Sequence, residues 1–150
     1  MHFNNLYTLI AREISTDSSD NMISIIKIID KFTFGYDIDN VPDPKAPKLF
    51  KVPYSIATSW QLDKKAKNEL KLSVRLSLID PGGTSLGGPT QHLTLPEGMN
   101  KINVNFGVHD MPATVSGMYS LRAELFRPKD NKVAEGQYSF EIEINDEVKQ

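Results

Sequence analysis

A chain of 150 residues with 39% apolar side chains is the size of one domain, residues 1–150, and long enough to bury a sizeable core. Seventeen basic against nineteen acidic side chains give a formal net charge of -2, with neither sign gathered into a block, so the basic footprint of a nucleic-acid binder is missing. The complete lack of cysteine excludes disulfides, thiolate metal sites, iron–sulfur clusters and a cysteine nucleophile.

The opening stretch MHFNNLYTLIAREIST has neither a basic start nor an uninterrupted apolar core ending in small residues. No window approaches the apolar length of a membrane span, so the expectation is a cytoplasmic protein with no membrane partner. Within Phe3 to Ser15, Leu6, Leu9, Ile10 and Ile14 fit a helical face, but the segment also fits a strand, and the strand-rich remainder favours the strand. Two further runs, MISIIKIIDKFTF from Met22 to Phe34 and LFKVPYSIATSWQL from Leu49 to Leu62, are heavy in β-branched and aromatic types and read as one strand each. Pro53 has no amide hydrogen and belongs at a strand's start, at an edge or at a bulge, which places the start of continuous pairing near Tyr54. Between these runs, DIDNVPDPKAP from Asp37 to Pro47 holds three prolines and reads as an extended crossing between sheets. Asp37, Asp39 and Asp43 share this loop and could offer oxygen to calcium, but the spacing fails the EF-hand rule and solvated turn aspartates are the simpler reading.

Downstream the pattern is strict. Leu70, Leu72, Val74, Leu76 and Leu78 alternate with polar residues, and the same period recurs at Ile102 to Val108, Tyr119 to Leu125 and Tyr138 to Ile144. Each is a strand with one wet face. Many strands with turn-rich joints and no long helical period predict an all-β fold, a two-layer antiparallel β-sandwich of about eight strands.

The stretch LIDPGGTSLGGP, Leu78 to Pro89, resembles a phosphate cradle only superficially. It has no lysine, it fails both the P-loop and the dinucleotide spacing, and TQHLTLP after it is a short strand rather than a helix opening. Asp-Pro-Gly-Gly is good turn chemistry, so Gly82 and Gly83 make a hairpin bend, while Gly87 and Gly88 widen the loop or close it with a bulge. A tip that orders on a ligand is the functional alternative, with Asp37 to Pro47 as the second loop of a carbohydrate or small-ligand site.

Catalytic patterns are weak. His2, His92 and His109 are isolated, no G-x-S-x-G elbow is present, and Glu141 and Glu143 share a strand face as ordinary solubilising residues. Trp60, Phe50, Tyr54, Tyr119, Tyr138 and Phe140 could form a sugar platform, but most fall on an inward phase and read as core. The cluster Lys64, Lys65 and Lys67 reads as a solvated turn. Phe126 breaks the polar phase of its strand, and Ile26 and Ile29 add apolar residues to both faces of theirs; these three are the candidate contacts for a partner chain.

The segments NLYTLIARE, ISIIKIIDKF, LSVRLSLIDPGG and GMYSLRAELF together resemble an uncharacterised bacterial family, a domain of unknown function formed by small immunoglobulin-like β-sandwich proteins. Its members carry a phrase like "IIGIFD", an Asp-Pro turn at a central hairpin and "GxYxFxL" near the close. The chain departs from it with Lys27 in place of a glycine and with a longer proline-containing loop after Tyr36. The resemblance implies a bacterial, cytosolic, immunoglobulin-like sandwich and no catalytic residue. Gly117-x-Tyr119 also fits the tyrosine that anchors a strand corner in such folds. The expectation is a non-enzymatic module without cofactor or metal, acting through protein contacts as a homodimer or as an accessory to another protein.

Overall fold

The computed structural model describes residues 2–16, 22–37 and 47–147. Over these residues the chain forms nine strands and no helix: β1 (Phe3–Thr16), β2 (Ile23–Ile28), β3 (Lys31–Asp37), β4 (Lys48–Leu62), β5 (Leu70–Ile79), β6 (Thr90–Leu95), β7 (Lys101–Ala113), β8 (Gly117–Arg127) and β9 (Asn131–Glu147). They make a four-stranded sheet in the order β2-β1-β4-β7 and a five-stranded sheet in the order β3-β9-β8-β5-β6. The fold is a two-layer β-sandwich, and all strand pairs are antiparallel except β3 with β9, which is parallel.

The predicted alternation is what the sandwich buries. Leu72, Val74, Leu76 and Leu78 of β5 are 4%, 0%, 1% and 7% exposed, and Tyr119, Leu121, Ala123 and Leu125 of β8 meet them from the same layer. Trp60 of β4 is completely enclosed. Its indole N–H donates to Thr58 Oγ1 at 3.0 Å, and that hydroxyl donates to the Val104 carbonyl at 3.0 Å, so the polar atoms taken into the core keep partners. Phe32 lies edge-on to Tyr54 and Phe140, with ring centroids 5.5 and 5.8 Å away, and Phe34 stacks on Phe50 at 4.4 Å. Such ring pairs add about 0.5–1.5 kcal/mol each beyond the area they bury.

The run Met22 to Phe34 is two strands, one in each sheet, and this corrects the single strand expected there. The chain changes layers at Ile29 and Asp30. The Ile29 amide donates to the Ile10 carbonyl of the four-stranded sheet at 2.8 Å. Its carbonyl accepts the Tyr138 hydroxyl of the five-stranded sheet at 2.6 Å, and the Asp30 carbonyl accepts the Glu141 amide at 2.9 Å. A segment serving two sheets has no single outward phase, which is why its apolar residues fall on both faces. Lys27, where the family resemblance expects glycine, has φ 54, a left-handed conformation that side chains other than glycine adopt at a cost.

Pro53 sits where the β4–β7 register shifts, between Lys51 and Tyr54. It is a bulge, and pairing continues beyond it to Lys48 rather than beginning at Tyr54. At the turn from β7 to β8 the Tyr119 hydroxyl accepts the Thr114 and Val115 amides at 3.0 and 3.2 Å and donates to the Val115 carbonyl at 2.5 Å. Such a tyrosine corner ties the turn to the strand that follows it.

Candidate functional site

The outward phases of the two sheets differ in chemistry. On the four-stranded sheet the inward row Ile10, Ile56 and Phe106 alternates with outward rows that follow from the register: Ile28, Ala11, Ser55 and Gly107, then Leu9, Ala57 and Asn105, then Tyr7, Ser59 and Asn103. None of these ten residues is charged; in the adjoining outward rows Glu13 lies opposite Ile26 and Lys101 opposite Gln61. Ala11, Ala57 and Ser59 are so short that their neighbours close over them, leaving each 0% exposed on an outer face. Ser59 Oγ donates to Asn103 Oδ1 at 2.7 Å, and Ile28 stands 60% exposed at the rim.

The five-stranded sheet carries ion pairs instead. Lys31 meets Glu143 at 2.9 Å, Arg122 meets Glu135 at 3.1 Å, and Lys132 bridges Glu124 and Glu135 at 3.4 and 3.3 Å. The Glu143 hydrogen bond holds the Lys31 ammonium above its ordinary pKa, and Glu135 does the same for Lys132.

Between the sheets, at the edge where β7 faces the glycine-rich hairpin, a cleft of about 190 Å³ opens. Ile10, Ile56, Leu76, Leu78, Val108 and Leu121 line it, and the backbone of Gly87, Gly88 and Pro89 forms its lip. The Tyr54 hydroxyl reaches it but donates to the Asp110 carbonyl at 2.8 Å. Burial, and then the Asp110 charge, raise the pKa of that phenol.

The hairpin itself is a built turn. The Gly83 amide donates to the Asp80 carbonyl at 3.0 Å, the Thr84 amide to Asp80 Oδ1 at 2.8 Å, and Thr114 Oγ1 to Asp80 Oδ2 at 3.2 Å. Gly83 and Gly87 have φ 85 and 80, values for which glycine is suited.

Of the expected partner contacts, Ile26 is 42% exposed on β2, opposite Glu13. Ile29 is half-buried against the core at the sheet crossing. Phe126 is only 7% exposed, so its reading as an exposed apolar position is overturned: it lies opposite Ser73 on the outer phase of β5, and the Arg75 guanidinium lies 4.4 Å above its ring. Among the expected ligand-loop residues, Gly82 and Gly83 form the turn, Gly87 and Gly88 form the cleft lip, Asp37 ends β3, and Asp39 and Asp43 lie outside the described residues. Among the aromatics proposed as a platform, Trp60, Phe50, Tyr54, Tyr119 and Phe140 are buried core. Lys64, Lys65 and Lys67 are exposed, as a solvated turn requires. Among the described residues no group of three or more His, Cys, Asp or Glu is placed to hold a metal ion.

Sequence reasoning missed the uncharged face and Ile28. The signal was present in the outward phases of YTLIA, YSIATSW and NVNFG, which contain small residues, amides and apolar side chains where a wet strand usually carries charge.

No protein-family model matches the chain, and neither does any curated protein. Among solved structures, the chain is similar to a glycosyl hydrolase family 2 member from Bacteroides cellulosilyticus DSM 14838, with a TM-score of 0.46 and 14% identity over 79% of this chain. The match spans 17% of that protein's length.

Proposed function

We propose that this β-sandwich works by protein contact and not by catalysis, and that the outer face of the four-stranded sheet meets a second copy of itself. The observation that carries the reading is the absence of charge from the three outward rows around Ala11, Ala57 and Ser59. Rows without charge bring no like charges together across a two-fold axis that passes through them. Asn103 and Asn105 each offer donor and acceptor, so they can satisfy their own symmetry mates, and the short central side chains let two sheets approach to the roughly 10 Å of stacked layers. At a strand spacing of about 4.8 Å and a rise of about 3.3 Å per residue, the rows cover roughly 15 by 15 Å. An area that small is below that of stable interfaces, so weak association, at micromolar concentrations or above, is expected.

Sedimentation velocity from about 1 to 500 µM, a range spanning that affinity class, tests the reading. Wild type is expected to pass from monomer to dimer, and Ile28→Glu to stay monomeric with an unchanged unfolding midpoint. A wild-type chain that is monomeric throughout the range would remove the proposal.

A further inference from the structure

We propose that the cleft beneath the glycine-rich hairpin is a binding site for a small, neutral, apolar molecule about the size of a substituted benzene. Its volume of about 190 Å³ is slightly larger than the roughly 150 Å³ at which an aliphatic cavity takes up benzene. Both layers supply its aliphatic walls, Ile10, Ile56 and Val108 from one sheet and Leu76, Leu78 and Leu121 from the other.

The chemistry of the walls selects the ligand. A sugar brings several hydroxyl groups, and each one buried without a partner is costly. The cleft offers one hydroxyl, that of Tyr54, whose proton is already given to the Asp110 carbonyl, and Asp110 at its border repels an anion. An apolar ring makes no such demand and gains from every wall it touches.

The lip explains why the cleft stays open. Three backbone hydrogen bonds tie it to β5: Leu86 N–H to the Leu78 carbonyl at 2.7 Å, Leu78 N–H to the Gly87 carbonyl at 3.0 Å, and Leu76 N–H to the Pro89 carbonyl at 2.9 Å. A Cβ on Gly88 would run into the Leu76 carbonyl, so at this point the wall is glycine backbone held close against β5. Gly87, Gly88 and Pro89 are themselves exposed, which gives a ligand its way in from solvent. The site is preformed, and it lies between the layers, apart from the uncharged outer rows.

The test is a titration of the ¹⁵N-labelled full chain with benzene, and separately with methyl glucoside, read by amide chemical shifts. Saturable benzene-induced shifts are expected at Leu86, Gly87, Gly88 and Val108, with none from the glucoside. Val108→Phe, which fills the cleft from β7, is expected to weaken binding at least about ten-fold, as loss of a preformed apolar site should. Leu86→Phe fills it from the half-buried lip and serves as the second variant should Val108→Phe fail to fold. Non-saturating benzene shifts, shifts from the glucoside at the same amides, or undiminished benzene binding in a folded filled variant would each overturn the proposal.

Discussion

The two outer faces of the sandwich obey the same two-residue period, yet three central rows of one present Ala, Ser, Asn, Tyr, Leu and Ile while the other presents ladders of Lys, Arg and Glu. Periodicity reports only that a strand has an inside. What the outside meets is written in the chemistry of the outward phase. The charged face solvates itself through pairs such as Arg122 with Glu135, both of which remain about half exposed. The uncharged face has hidden its centre behind neighbouring side chains, with Ala57 and Ser59 out of reach of water.

Breaking the frame that holds both faces should have the largest effect. Tyr119→Phe removes the acceptor for two amides, one of them buried, and is expected to cost about 2 kcal/mol in urea unfolding, whichever face is then probed. Next comes a matched pair of isosteric changes that sets the faces against each other. Asn105→Asp is expected to weaken self-association about ten-fold by placing like charges across the two-fold axis, while Gln137→Glu on the charged face leaves it unchanged. The penalty should shrink in about 1 M salt, where charges are screened within roughly 3 Å.

A smaller gain is expected at the strand that carries Ile26 and Ile28. Lys27→Gly relieves a φ of 54 and should stabilise by up to about 1 kcal/mol, net of glycine's own entropy, as seen in thermal unfolding. Least of all, Arg122→Ala on the charged face should change stability by under about 0.5 kcal/mol, because a half-exposed ion pair is screened by solvent. A loss several times larger would mean that the ion-pair ladder, and not only the core, holds that sheet together.

Much of the architecture was legible. Leu72 to Leu78 and Tyr119 to Leu125 alternate because a half-buried strand must bury every second residue, and that demand is local. The turn at Asp80 to Gly83 was equally legible, since proline, glycine and aspartate carry their preferences with them. The crossing at Ile29 was not, because neither glycine nor proline marks it; it is set by Ile10 and Glu141, which lie far from it in sequence, and by Tyr138. Phe126 misled for a related reason. It keeps the outward phase, opposite Ser73, and is buried because the Arg75 side chain from the neighbouring strand lies over its ring.

Composition and period by themselves determined an all-β chain without disulfides, its inward-facing residues and its tight central hairpin, since each depends on interactions between neighbours along the chain. Only the tertiary structure decided that Tyr7, Ala57 and Asn105 belong to one uncharged surface, and that Gly88 borders a cleft walled by Ile10 and Val108. The physical reason is that strand order and register join residues dozens of positions apart, and these pairings are settled by how the whole core packs rather than by any segment's own preference.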